Sequence, residues 1–372
     1  MSARRVLLVS RVFWPNLGGI EKHVQWLGAH LVQRGHTVDV VTLNRSFEDG
    51  STYPPFDRID GMRVFRVPFA GSTRYPIAPR VVRFVADYDV VHVHAIDFLV
   101  DWLVATRRWH GRPVVLSTHG GFFHTRFAQS AKKVWFHTMT RALFARVDAL
   151  VYTSDQDQEL FSPLTKRGRL IRTGVELEPW VSLDAAPVAG RWITVGRVDR
   201  HKGIAALLRT LAVVRDRDPR PFTARIIGPE VVPGLVAELT AQRDALGLAE
   251  HVRFEGKLPQ AELVDAVRTA ELGLWPAEYE SFGISVVEAM AAGVLPVLQD
   301  NRAFRHFHLP GTTELVDFGA PDVAAAAILR ARDRGMGVRG PVRTRACDFG
   351  WDRVVGELER VFDEVVERRG RR

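Results

Sequence analysis

Short apolar runs rich in Val, Ile and Leu, without clean polar alternation, recur along most of the chain and alternate with amphipathic stretches. In the first half they fall at Val6–Ser10, Thr37–Leu43, Met62–Val67, Val90–His94, Val114–Ser117 and Leu150–Thr153. A strand covered on both faces needs no polar side, so this pattern predicts parallel sheet. Between the first two runs Ile20, Val24, Leu27 and Leu31 recur at helical spacing, and Gly35 ends the pattern. Strand, helix and strand within about 35 residues make a βαβ unit. The rhythm restarts after an irregular, Pro-containing stretch at 178–190. Its runs are Trp192–Gly196, Ala224–Gly228, Val252–Glu255, Leu272–Trp275 and Leu295–Leu298. Two α/β domains are therefore expected, 1–183 and 184–348. The remaining 349–372 carries Val354, Val355, Leu358, Val361, Phe362 and Val365 at helical spacing, which predicts a terminal amphipathic helix.

A length of 372 residues lets each domain bury its own core. The single Cys347 excludes an internal disulfide framework. No apolar run approaches the roughly 18–20 residues of a membrane span. The apolar part of the N-terminus, Val6–Ser10, is too short for a signal peptide, so a cytoplasmic protein is expected. There are 51 Lys and Arg against 43 Asp and Glu, a formal charge of +8, yet only six lysines. Such an excess suits nucleic acid, anionic lipid or phosphate ligands, and charge alone does not choose among them.

In open α/β sheets ligands sit beyond the carboxyl ends of the strands. After the first run Gly18-Gly19 opens a helix, where backbone N–H groups and the helix dipole favour an anion. The sequence there is not GxGxxG, which argues against a nicotinamide dinucleotide. The equivalent place in the second half is Gly196-Arg197, with Lys202-Gly203 closing the same loop. A guanidinium and an ammonium on one loop can grip a diphosphate and stabilise it as a leaving group. Further on, Glu280 precedes a predicted helix start near Gly283, and Glu288 lies in that helix's second turn. Phe282, Gly283 and Ile284 offer amides to a phosphate between the two carboxylates, with a ribose near one and a sugar near the other. His119 follows a strand end and precedes two glycines, making it an active-site candidate. His92 and His94 share one strand face, but no further ligand has suitable spacing, so no metal site is expected.

Taken together, Glu280 to Glu288 with Phe282-Gly283-Ile284, Gly196-Arg197 with Lys202-Gly203, and Gly18-Gly19 resemble the retaining GT-B glycosyltransferases of the GT4 family. The resemblance implies two facing Rossmann-like domains and a C-terminal helix crossing back to the N-terminal domain. It implies an acceptor-binding N-terminal domain and a C-terminal domain that holds a nucleotide-sugar donor. By that resemblance Arg197 and Lys202 bind the diphosphate, and Glu280 with the amides of Phe282, Gly283 and Ile284 holds sugar and phosphate. Glu288 holds the ribose, Gly18 and Gly19 close over the phosphates, and His119 contacts the sugar near the reacting carbon. No metal and no other cofactor is then required. The chain departs from the family pattern at Thr173-Gly174-Val175-Glu176, where Asn-Gly-Val-Asp is frequent, and at Pro276-Ala277, where Pro-Ser is common.

Three further segments are similar to the α-mannosyltransferases of xanthan- and acetan-type exopolysaccharide assembly. They are Ser72–Pro79, His94–Phe98 and Ser117–Thr125. This likeness implies GDP-mannose as donor and a lipid-linked cellobiosyl diphosphate as acceptor, with Tyr75, His94 and Asp97 as acceptor-side candidates. A stretch at 123–146 interleaves Arg126, Lys133, His137 and Arg141 with Trp135, Phe136, Met139 and Phe144. It would suit an anionic membrane surface, peripheral on the cytoplasmic face of the inner membrane, or equally a basic helix flank with its aromatics in the core. Nucleic acid is not an expected partner, because the basic residues are dispersed and form no known module. The alternatives are a GT4 enzyme using a UDP-sugar and another acceptor, or a nucleotide-sugar epimerase of the same fold.

Overall fold

The computed structural model describes residues 2–371 except 17, 48, 74, 120–139, 166, 183, 185 and 281. Among the described residues, ten strands belong to the first part of the chain: β1 (Arg5–Ser10), β2 (Thr37–Leu43), β3 (Phe56–Ile59), β4 (Met62–Val67), β5 (Ala70–Ser72), β6 (Tyr75–Ile77), β7 (Val90–His94), β8 (Val114–Ser117), β9 (Ala149–Tyr152) and β10 (Gly168–Leu170). Eight of them form one sheet in the order β10-β9-β8-β7-β1-β2-β4-β3. All pairings are parallel except β3 with β4, and β5 with β6 makes a separate antiparallel pair. Along β1, Val6 and Leu8 enter one core cluster while Leu7 and Val9 enter another, and all four are wholly buried. Two covered faces explain why this strand carries no polar alternation.

Six further strands follow: β11 (Arg191–Val195), β12 (Thr223–Ile227), β13 (Val252–Gly256), β14 (Leu272–Trp275), β15 (Leu295–Gln299) and β16 (Glu314–Val316). They form an all-parallel sheet ordered β13-β12-β11-β14-β15-β16. The short strands β3, β5, β6, β10 and β16 had no counterpart among the apolar runs. Phe56 in β3 is 47% exposed, and β10 is a three-residue edge with little apolar surface to betray it.

The chain divides into two compact units, Met1–Gly174 with Trp351–Arg372, and Val175–Gly350. The crossing at 174/175 lies nine residues before the boundary at 183/184 that the sequence suggested. Within the segment read as a linker, Trp180, on the short helix Glu178–Val181, is buried in the second unit's cluster. The Val175 N–H also donates to the Phe349 carbonyl at 2.9 Å, tying the departing and returning chain together. The terminal helix, Trp351–Gly370, buries Val354, Val355, Leu358, Val361, Phe362 and Val365 with Val6, Leu8 and Leu27 in the first unit. No described helix is long and apolar enough to cross a membrane.

Each sheet has one switch point. In the first unit chain order runs outward from β1 through β2 in one direction and from β7 through β8 in the other. In the second it runs outward from β11 and from β14. The carboxyl ends of β1 with β7, and of β11 with β14, are where such sheets bind ligands.

Candidate active site

At the switch point of the second unit, β11 runs into Gly196-Arg197 and β14 into Pro276-Ala277. Arg197, Lys202 and Glu280 line one pocket there with Thr194, Trp275 and Ile204. Lys202 Nζ donates to Glu280 Oε2 at 2.5 Å, and the two side chains are 17% and 21% exposed. The two loops approach closely because Gly203 has no side chain. Its φ is +70°, and a Cβ there would lie 2.1 Å from the Pro276 carbonyl oxygen.

The helix Ile284–Ala291 starts beside this pocket. Gly283 caps it in the left-handed region at φ +101°, where a Cβ would meet the Phe304 ring at 2.8 Å. Phe282 is buried against Phe307 and His306, so its ring anchors the turn while the backbone amides stay at the helix end. Ile284 is 44% exposed, and half-buried Glu288 follows it by one turn on the same face. Ser285 was not singled out from sequence. Its hydroxyl donates to the Val195 carbonyl at 2.8 Å and accepts from Trp275 Nε1 at 3.1 Å, which pins the helix start to the ends of β11 and β14.

At the switch point of the first unit, Gly18 caps the helix Gly19–Gln33 with an extended backbone (φ −129°). Neither Gly18 nor Gly19 adopts a positive φ, so turn strain does not account for the pair. His94 ends β7, and its Nδ1 lies 2.9 Å from His119 Nε2. His23, from the first helix, completes a group of three whose ring nitrogens lie within 4.8 Å of one another. His92, the other member of the His-x-His pair, is not part of this group. His23 and His119 come from distant segments, and local spacing could not reveal them. The one available signal was His23 itself, a polar residue on the same helix face as Leu27.

Asp97 caps the helix Phe98–Ala105, accepting from the Leu99 N–H at 2.8 Å. Its Oδ2 is buried with no partner among the described residues, and burial pushes the carboxyl up to about 7. Tyr75 donates its hydroxyl to Asp101 Oδ2 at 2.6 Å, so Tyr75 and Asp97 converge on the start of one helix. His94 joins the histidine cluster. The basic stretch 123–146 lies largely outside the described residues, as do Gly120 and Gly121.

Two Rossmann-like parallel sheets, each with polar groups gathered at its switch point, define the GT-B architecture of glycosyltransferases. A glycosyltransferase from Rickettsia africae superposes with a TM-score of 0.73 at 15% identity, covering 98% of this chain and 99% of that one. Sucrose-phosphate synthase from Thermosynechococcus elongatus does so at 0.68 and 20%, covering 97% and 99%. Residues 17–179 match Glycosyltransferase Family 4, and residues 191–334 match Glycosyl transferases group 1. The GDP-mannose:cellobiosyl-diphosphopolyprenol alpha-mannosyltransferase of Xanthomonas campestris is 35% identical over 300 residues, 80% of this chain and 78% of that protein. The protein of the same name from Komagataeibacter xylinus is 31% identical over 382 residues, covering 98% and 94%. Phosphatidyl-myo-inositol mannosyltransferase of Mycobacterium tuberculosis is 30% identical over 378 residues, covering 94% of each. The chain belongs to glycosyltransferase family 4.

Proposed function

We propose that the protein transfers α-mannose from GDP-mannose to a polyprenyl-diphosphate-linked oligosaccharide such as cellobiosyl diphosphopolyprenol, with retention at the anomeric carbon, in exopolysaccharide synthesis. The observation that carries this reading is the convergence of Arg197, Lys202 and Glu280 on one strand-end pocket. Mannose and the lipid-linked acceptor draw their support from the relatives at 31–35% identity.

The reaction breaks the bond between the sugar's anomeric carbon and the diphosphate, and forms one to an acceptor hydroxyl. Negative charge grows on the departing diphosphate, where Arg197, Lys202 and the amides at the start of the Ile284–Ala291 helix stabilise it. The ion pair with Glu280 holds the Lys202 ammonium in the pocket before the donor arrives. Glu280 then orients the sugar, Glu288 the ribose, and Gly18 and Gly19 approach the phosphates. His119 meets the sugar near the reacting carbon. The leaving phosphate oxygen accepts the proton of the attacking hydroxyl on the same face, so no protein nucleophile takes part. Tyr75 and Asp97 serve the acceptor. With two cationic side chains against the diphosphate, no metal is required, and a chelator should leave turnover unchanged. The enzyme works at the cytoplasmic face of the inner membrane, drawn to anionic lipid through the 123–146 stretch.

The test offers GDP-mannose and UDP-sugars in turn with cellobiosyl diphosphopolyprenol, reading product mass. Gain of one hexose from GDP-mannose alone is the expected result. Transfer from a UDP-sugar would replace the donor, and conversion of a nucleotide sugar without acceptor would indicate an epimerase.

A further inference from the structure

Among the described residues, four imidazoles crowd the switch point of the first sheet. His94 Nδ1 and His119 Nε2 are 2.9 Å apart. The His23 ring meets His119 edge-on with centroids 4.6 Å apart, and His92 lies 4.2 Å from His94. Behind His23, at 5.1 Å, stands Trp351, the first residue of the terminal helix. Burial holds all four rings neutral, His119 down to about 4, His92 to about 3, and His23 and His94 well below their ordinary value.

A neutral imidazole carries one N–H and one bare nitrogen, so the partners assign the protons. His94 Nε2 is buried and has no partner among the described residues. A proton there would be an orphaned N–H in the protein interior, the rarer and costlier kind of unsatisfied group, whereas a bare nitrogen leaves only a lone pair unmet. The proton of His94 therefore sits on Nδ1 and is donated to His119 Nε2. With Nε2 accepting, neutral His119 keeps its own proton on Nδ1. His119 also holds a left-handed backbone at φ +51°, uncommon for a residue other than glycine and found where neighbours fix a functional group.

We infer that His94 is a positioning residue: its Nδ1–H locks His119 in the Nδ1–H tautomer, so that His119 offers a hydrogen-bond donor to an oxygen of the transferred sugar. This rests on the sugar contact proposed above for His119. The acceptor-side role first expected of His94 gives way to one exerted through its neighbour.

Nitrogen-15 NMR of histidine-labelled protein tests the assignment without substrate, so a wrong tautomer and a wrong sugar contact fail separately. The His119 signals, identified by their loss in His119→Gln, should show a protonated Nδ1 and a bare Nε2. Replacing His94 by Leu should release this preference and lower kcat about 10²-fold with little change in donor KM. His94→Asn, whose amide N–H can reach the position of Nδ1–H, should restore the tautomer and most of the lost rate. A protonated Nε2 on His119 in the native protein, or equal kcat losses in the Leu and Asn variants, would overturn the inference.

Discussion

Lys202 Nζ and Glu280 Oε2 lie 2.5 Å apart, although the residues are separated by 78 positions in sequence. Their loops leave β11 and β14, adjacent parallel strands on either side of the switch point. The pair is the structural centre of the proposed donor site. Lys202→Ala removes the cation from a growing negative charge and should lower kcat by about 10²–10³-fold, the scale for losing one such group. Glu280→Ala should also depress turnover severely. Both variants should keep the far-ultraviolet circular dichroism of the parent, because the pair sits at a pocket edge and not in a core. Near-normal activity in either would remove the pocket from the mechanism.

Gly203 joins the loop of Lys202 to that of Pro276 by close backbone approach. Gly203→Ala meets both a left-handed φ and a carbonyl oxygen at 2.1 Å. A loss of about 1–3 kcal/mol is expected, seen as a Tm lower by several degrees, together with weaker nucleotide binding. An unchanged Tm would mean that these loops yield easily.

Asp97 combines a helix cap with a buried oxygen that has no partner among the described residues. Its carboxyl is raised to about 7 from an ordinary value near 4, so the folded state binds the extra proton and ionisation above that range disfavours folding. Asp97→Asn keeps the cap oxygen and removes the charge. At pH 8 this variant should be more thermostable than the parent, and the gap should shrink toward pH 5. Its transfer rate should fall, because the acceptor loses a carboxylate. Stability that falls along with activity would assign Asp97 a structural task alone.

The histidine cluster gives the opposite pH dependence. His92, wholly buried, is lowered to about 3, so between pH 6.5 and 3 the unfolded chain takes up a proton that the folded one refuses. Stability is then complete above about pH 6.5 and falls below it, by about 2 kcal/mol from this one residue at pH 5. Thermal melts from pH 8 to 5 should show the fall, less steep in His92→Asn. Because Asp97 offsets part of it, the slope should steepen in Asp97→Asn. A Tm independent of pH over this range would contradict the buried neutral rings.

The sheets were legible where burial on both faces wrote itself as unbroken aliphatic runs. Thr37–Leu43, Val90–His94 and Leu272–Trp275 appear in the structure with the same ends. Strands that bury little, such as Gly168–Leu170, left no such trace. Trp180 misled, since a proline beside it resembled a linker while its indole belongs to a core. The cationic loop, the Glu280 turn and the Gly283 helix start could be placed because each follows a strand end within a few residues. His23, His94 and His119 could not be joined in advance. Their meeting depends on the order of strands about β1 and β7, which no local pattern encodes, and on the terminal helix that brings Trp351 behind them.

The central claim, that the donor diphosphate is held at the Lys202 and Glu280 strand ends, is tested most directly by calorimetric titration of GDP-mannose into the parent and Lys202→Ala. A charge-assisted contact of this kind predicts binding weakened by about 10- to 100-fold in the variant. Equal affinity in both proteins would place the diphosphate elsewhere and contradict the account.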